Sequence, residues 1–157
     1  MEHDLVSLSD RTGIVDPEKL RILLLYADLI FCEKQRFNLT GHKSLNEIIE
    51  NLIIGSLEPV ANLNVPRGTF FADLGSGAGI PGIPFAVKYP EISGFLFESN
   101  HKKTGFITKT AADLKILNVK AVNMRIEEAG RMSEFREKFD LVLTRAMSDL
   151  YTIVELG

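Results

Sequence analysis

Phe70-Phe71-Ala72-Asp73-Leu74-Gly75-Ser76-Gly77-Ala78-Gly79-Ile80-Pro81-Gly82-Ile83-Pro84 is the stretch that decides the fold. A short apolar run carrying one acid leads into a turn, and five of the chain's 12 glycines (Gly68, Gly75, Gly77, Gly79 and Gly82) lie in or beside it. Glycines gathered at one turn mean that the backbone takes positive φ there, or that something comes closer than a Cβ allows. A strand, such a turn and then a helix are how an α/β fold builds a nucleotide crevice at the carboxyl end of its sheet.

Upstream, Asp16-Pro17 opens a helix, because Asp accepts from free amides and Pro tolerates the first helical position. Leu20, Leu23, Leu24, Ala27, Ile30 and Phe31 recur behind it at helical spacing, and the helix is expected to close near Lys34. Ser44-Leu45-Asn46-Glu47 is a capping box ahead of an apolar stripe at Ile48, Ile49, Leu52, Ile53 and Leu57. These two helices predict an N-terminal helical layer over residues 1–65. Downstream, strands are expected at 69–74, 94–98, 119–124 and 139–144. Helices are expected at 81–88, 102–116 and 127–135, with a last one opening at Ser148-Asp149. Strand and helix in regular alternation predict a parallel, doubly wound α/β sheet. The chain reads as one domain, 1–157, whose core at 66–157 is truncated after the fourth strand and so is C-terminally incomplete.

Hydrophobic residues make up 45% of the chain and charged residues 25%, as in an ordinary folded domain. No apolar run approaches the roughly 20 residues that span a bilayer. The acidic Met1-Glu2-His3-Asp4 opening is no secretory signal, so a cytoplasmic protein with no membrane partner is expected. Cys32 is the single cysteine, which excludes an internal disulfide, and the three histidines lack metal-ligand spacing; no metal is expected. The net charge of −3 weighs mildly against a nucleic-acid partner, although a local basic patch suffices for phosphate contacts.

Gly77-Ala78-Gly79-Ile80-Pro81-Gly82 satisfies the dinucleotide pattern Gly-x-Gly-x-x-Gly, a weak signal alone. Two details disfavour a pyrophosphate. Asp73 sets a carboxylate beside the turn, and Pro81 and Pro84 remove two amide donors where an anion needs them. A cofactor with a cationic end and no phosphate fits better. Glu98, closing Phe95-Leu96-Phe97-Glu98, can accept two ribose hydroxyls, a role that nicotinamide cofactors share.

Asp73-x-Gly75-x-Gly77-x-Gly79 resembles the first motif of S-adenosylmethionine-dependent methyltransferases with a Rossmann-like fold. Further stretches continue the likeness: Phe37-Asn38-Leu39-Thr40, the Ile80-Pro81-Gly82-Ile83-Pro84 ending, Glu98-Ser99 with Lys102, Arg125-Ile126-Glu127-Glu128, and Leu143-Thr144-Arg145-Ala146. Together, over roughly Tyr26 to Leu150, they resemble the bacterial 16S (small-subunit) ribosomal RNA guanine-N7 methyltransferases, also called glucose-inhibited division protein B. The resemblance implies S-adenosyl-L-methionine as cofactor and 16S ribosomal RNA or the 30S subunit as partner, with the enzyme acting as a monomer. It implies a cofactor site made by Asp73, Gly75, Gly77 and Ile80 in the turn, Glu98 on the ribose, and Ile126 and Glu127 beside the adenine. Arg145 would face the methyl-transfer site, and Lys102, Arg125 and Arg145 would bring positive charge to the RNA. No catalytic side chain is implied, because guanine N7 has a free lone pair and needs no general base.

The chain departs from that family in four places. Asn51-Leu52-Ile53-Ile54-Gly55-Ser56-Leu57 stands where relatives carry an Arg-His pair and an Asp-Ser-Leu. Met147 replaces a usual aromatic, Glu98 replaces Asp, and the last strands with a basic segment are absent. A truncated relative that binds without catalysing, or less readily a nicotinamide-dependent oxidoreductase, are the competing expectations.

Overall fold

The structure, a computed structural model, describes residues 5–145. The expected helix at Ser148-Asp149 and the departure at Met147 lie outside the described residues. Four strands, β1 (Phe70–Leu74), β2 (Ser93–Glu98), β3 (Val119–Asn123) and β4 (Leu141–Thr144), form one sheet in the order β3-β2-β1-β4. Every pairing is parallel: Leu74 lies opposite Phe97, Glu98 opposite Asn123, and Asp73 opposite Leu143. The first strand therefore sits inside the sheet with neighbours on both sides. That central position is why its residues are nearly all apolar and buried.

The N-terminal layer has one helix more than expected. Helix α1 (Leu5–Thr12) precedes α2 (Pro17–Glu33), and only Leu8 and Thr12 of α1 are buried, so its apolar period is too faint to read. Asp16 caps α2 by accepting from the Glu18 amide at 2.9 Å. The capping box at Ser44 also forms: Ser44 Oγ accepts from the Glu47 amide at 3.1 Å, while the Glu47 carboxylate accepts from the Lys43 amide. The helix behind it is interrupted. It runs as α3 (Leu45–Ile48), widens into a π-helical turn over Ile49–Ile54, and ends as α4 (Gly55–Leu57). Such insertions recur at functional sites.

Helices α5 (Gly82–Lys88) and α6 (His101–Asp113) follow β1 and β2. The expected 102–116 helix stops early. Lys115, placed on its last turn by periodicity, lies past the end with φ +56°. The expected 127–135 helix shrinks to α7 (Ile126–Ala129), which stops at Gly130. One large core joins the N-terminal helices, α5, α6 and one face of the sheet through Leu23, Ile30, Ile53, Phe71, Ile83, Leu96 and Ile107. Ala72, Leu74 and Phe97, at alternate strand positions, face a smaller cluster with Ile126, Ala129 and Phe135. That second face borders a cavity of about 530 Å³ lined partly by Phe139 and Val142. Lys88 ties the layers together: its ammonium donates to the Thr12 and Ala61 carbonyls at 2.5 and 2.7 Å.

Candidate functional site

At the carboxyl end of the sheet, β1 and β2 part into the glycine turn and the loop before α6. The amides of Gly75 and Ser76 both donate to the Phe97 carbonyl at 3.0 Å, which starts the turn directly beside the end of β2. Glu98 then holds both loops. Its Oε2 accepts from the Gly77 amide and its Oε1 from the Asn100 amide, each at 2.8 Å. Asn123, opposite in register, donates to the Glu98 and Ser99 carbonyls at 2.9 and 3.0 Å. Asn100 caps α6 by accepting from the Lys102 and Lys103 amides.

The turn is fixed from below by two groups. Tyr26, fully buried on α2, donates its hydroxyl to the Ala78 carbonyl at 2.7 Å. Sequence reasoning missed this residue. The available signal was a tyrosine within an apolar helical stripe, whose buried hydroxyl must find a partner. Asp73 is also fully buried, and its Oδ2 accepts from the Gly82 amide at 2.8 Å. Its Oδ1 has no hydrogen-bond partner. Burial pushes the Asp73 carboxyl up from 3.8 to about 7; the Gly82 amide and Ser76 oppose that rise, and Glu98 adds to it. The same burial holds the Tyr26 hydroxyl well above its ordinary value. Only glycine fits at position 82, where a Cβ would stand 2.6 Å from Asp73 Oδ2 and 2.9 Å from Leu96 Cγ. At Gly79, φ is +96° and a Cβ would meet Ile83 Cδ1 at 2.9 Å.

The start of α5 offers no anion site. The Gly82 amide goes to Asp73, the Ile83 amide to the Gly79 carbonyl, the Phe85 amide to the Pro81 carbonyl, and Pro84 has none. This agrees with the argument against a pyrophosphate.

A cleft of about 190 Å³ opens between the turn and α7. Of the residues expected at the cofactor, Gly75, Glu98, Ile126 and Glu127 line it, together with Arg125, which was expected to meet RNA. Phe97, Ser99 and Met124 complete the wall and were not foreseen. Gly77 joins it through its bond to Glu98. Ile80 is packed into the large core instead. Lys102 is exposed on α6 and lines a separate groove. Arg145 directs its guanidinium to the interrupted helix, donating to the Asn51 carbonyl at 2.5 Å, Ser56 Oγ at 3.2 Å and the Leu52 carbonyl at 3.5 Å. Among the described residues no cluster of His, Cys, Asp or Glu could hold a metal ion, and no helix is long and apolar enough to cross a membrane.

A parallel sheet ordered 3-2-1-4, with a glycine turn after its first strand and an acid closing its second, is a Rossmann-like fold. S-adenosylmethionine-dependent methyltransferases of solved structure share it, and two of them serve as examples. One is a putative S-adenosyl-L-methionine-dependent methyltransferase from Methanococcus maripaludis (TM-score 0.54, 17% identity, 74% of this chain and 60% of that one). The other is such a methyltransferase from Thiobacillus denitrificans in complex with S-adenosyl-L-homocysteine (TM-score 0.52, 20% identity, 74% of this chain and 50% of that one). Within that class, residues 19–157 match the GidB family, described as rRNA small subunit methyltransferase G, and the chain belongs to it. Curated relatives called ribosomal RNA small subunit methyltransferase G agree. That of Mycoplasma capricolum is 35% identical over 97% of this chain and 64% of its own length. That of Moorella thermoacetica is 33% identical over 96% of this chain and 63% of its own. The chain thus spans about half to two thirds of the curated relatives it matches, 54% in the case of Lachnoclostridium phytofermentans.

Proposed function

We propose that this protein transfers a methyl group from S-adenosyl-L-methionine to N7 of a guanine in 16S ribosomal RNA, working in the cytoplasm as a monomer built on one domain. The observation that carries the reading is the cleft in which Gly75, Glu98, Ile126 and Glu127 meet, in a chain of this family.

The residues present suit that cofactor. Asp73 Oδ1 is a buried acceptor without a partner beside the turn, and an ammonium group answers it. A Cβ built on Gly77 meets nothing within 4 Å, so the turn leaves open space above it. Glu98 has two oxygens, each with a lone pair beyond the one its amide bond uses, for a ribose diol. Ile126 offers an apolar contact and Glu127 a polar one to an adenine.

The cofactor supplies a methyl group on a positively charged sulfur, and guanine N7 needs no proton removed before receiving it. The chain's own work is therefore positioning. Glu98, which holds the glycine turn through the Gly77 amide, would also hold the ribose, and so would orient the donor toward the guanine. Arg125, exposed at the cleft's wall, supplies positive charge toward the phosphates of an approaching RNA. Because N7 lies on a base edge, the target guanine must be unstacked to reach the cleft.

Calorimetry with S-adenosylhomocysteine on the 157-residue chain tests the cofactor half; Glu98→Gln is expected to weaken binding about tenfold or more. Labelled donor with unmodified 30S subunits tests the reaction, with the product guanine read by chain scission at 7-methylguanosine. Binding without transfer would favour the binding-only relative. No heat from S-adenosylhomocysteine would end the proposal.

A further inference from the structure

A groove of about 320 Å³ lies between the end of α2 and the first turns of α6, apart from the cofactor cleft. Leu29, Phe37 and Phe106 give it an apolar floor, and Lys102 and Lys109 stand on its α6 side. Those lysines are seven residues apart, about 10 Å along a helix rising 1.5 Å per residue. Between them is Gly105, in the interior of α6, where a built Cβ meets nothing within 4 Å. Glycine weakens a helix interior relative to alanine, so the local chemistry does not favour it. The open space beside it belongs to the groove.

The charges around the groove favour an anion. Lys102 has no ion-pair partner among the described residues, and Lys103 follows it on the same turn. Lys109 reaches Asp113 at 3.1 Å, but both ends of that pair are more than half exposed, so it exchanges readily. The one carboxylate in the lining, Glu33, is outnumbered by the two lysines and has Arg36 at 3.4 Å. The groove also follows the site along the chain. Lys102 stands two residues beyond Asn100, whose amide Glu98 holds.

We propose that this groove is a second RNA subsite. It receives an unstacked base of the single-stranded segment next to the target guanine, with the base against Phe37 and the neighbouring phosphates on Lys102 and Lys109. An aromatic platform beside a cationic edge is how single-stranded nucleic acid is held without sequence readout. The inference rests on the RNA-methylating reading above and names where its substrate continues past the cleft.

The test measures binding of a fluorescein-labelled eight-nucleotide single-stranded RNA by anisotropy, with S-adenosylhomocysteine calorimetry on the same preparations. Gly105→Met places a good helix former in the open space. It is expected to keep or raise thermal stability, to bind S-adenosylhomocysteine as before, and to bind the RNA about tenfold more weakly. Phe37→Leu keeps an apolar side chain in the floor and removes the ring; a similar loss is expected. Lys109→Gln should lower the slope of log affinity against log salt by about 0.7, the value of one phosphate contact on a single strand. The same RNA in a duplex should bind wild type and Gly105→Met alike, because its bases are stacked away. Unchanged single-strand affinity in both Gly105→Met and Phe37→Leu would overturn the subsite while leaving the RNA reading intact. A wild-type chain that binds S-adenosylhomocysteine but neither this RNA nor the 30S subunit would overturn both.

Discussion

Replacing Asp73 with Asn should make the protein more stable at pH 8 and less able to bind its cofactor. Asp73 is fully buried on β1, and burial raises its carboxyl from 3.8 to about 7. A group whose folded value is raised favours the folded state fully below its unfolded value, and that contribution is lost as the pH climbs through the folded value. For Asp73 the loss runs from about pH 4 to about pH 7, at about 1.4 kcal/mol per pH unit. The full rise corresponds to about 4 kcal/mol, of which a little over 2 kcal/mol falls between pH 5 and pH 7. Asn keeps an oxygen for the Gly82 amide, now 2.8 Å from Oδ2, and cannot ionise. The difference in melting temperature, Asp73→Asn minus wild type, should therefore climb by roughly 5–10 °C from pH 5 to pH 7 and then level off, at 2–4 °C per kcal/mol for a domain of this size. Taking the difference removes every other titrating group common to both proteins. Circular dichroism melts at half-unit pH steps give the measurement. Parallel curves for the two proteins would refute the reasoning. Calorimetry at pH 8 should show Asp73→Asn binding S-adenosylhomocysteine more weakly, because the acceptor without a partner has lost its charge.

Two further outcomes follow from the same geometry. Tyr26→Phe leaves the buried Ala78 carbonyl without its 2.7 Å donor, at a cost of about 1–3 kcal/mol, and should lower both the melting temperature and the affinity for S-adenosylhomocysteine; an unchanged affinity would show that the turn does not need this pin. Arg145→Lys keeps the charge but cannot reach Asn51, Leu52 and Ser56 together, so the melting temperature should fall by about 2–6 °C while the salt dependence of RNA binding is preserved; a loss of salt dependence instead would mean that Arg145 meets RNA through its fork rather than its charge.

What could be read in advance was whatever rests on glycine, proline and period. The turn after β1 declares itself because few other sequences tolerate its backbone, and α2, β1 and β2 declare themselves by spacing and caps. Glu98 could be placed from its position alone, since the end of a parallel strand beside the first is where a ligand meets the sheet. The π-helical turn at Ile49–Ile54 could not, because the stripe Ile48, Ile49, Leu52, Ile53 suits an unbroken α-helix equally well. Nor could α7's early stop at Gly130, since the apolar residues through Phe135 fill the second core from a turn as well as from a helix. Asp73 is the instructive case: its carboxylate could be read as hostile to phosphate, but its bond to the Gly82 amide depends on the turn closing back over it.

The departures in the second helix acquire a physical meaning through Arg145. Relatives are expected to carry an acid in that helix, and here Asn51, Leu52 and Gly55 replace the polar pattern. Arg145 nonetheless docks on that helix, using two main-chain carbonyls and the Ser56 hydroxyl. Main-chain acceptors exist whatever side chains occupy positions 51 and 52, and the widened turn, in which the Gly55 amide reaches back to the Glu50 carbonyl, is where those carbonyls sit. A Cβ at position 55 would stand 3.7 Å from Arg145 Nη1, ordinary contact, so glycine is not required for the dock. The consequence is electrostatic. An arginine held by carbonyls and a hydroxyl, with no carboxylate partner among the described residues, keeps its whole positive charge, whereas one paired with an acid presents little net charge to an approaching phosphate. A helix without an acid at these positions can therefore still seat Arg145, and on the proposed reading that edge of the sheet stays attractive to the phosphates of RNA.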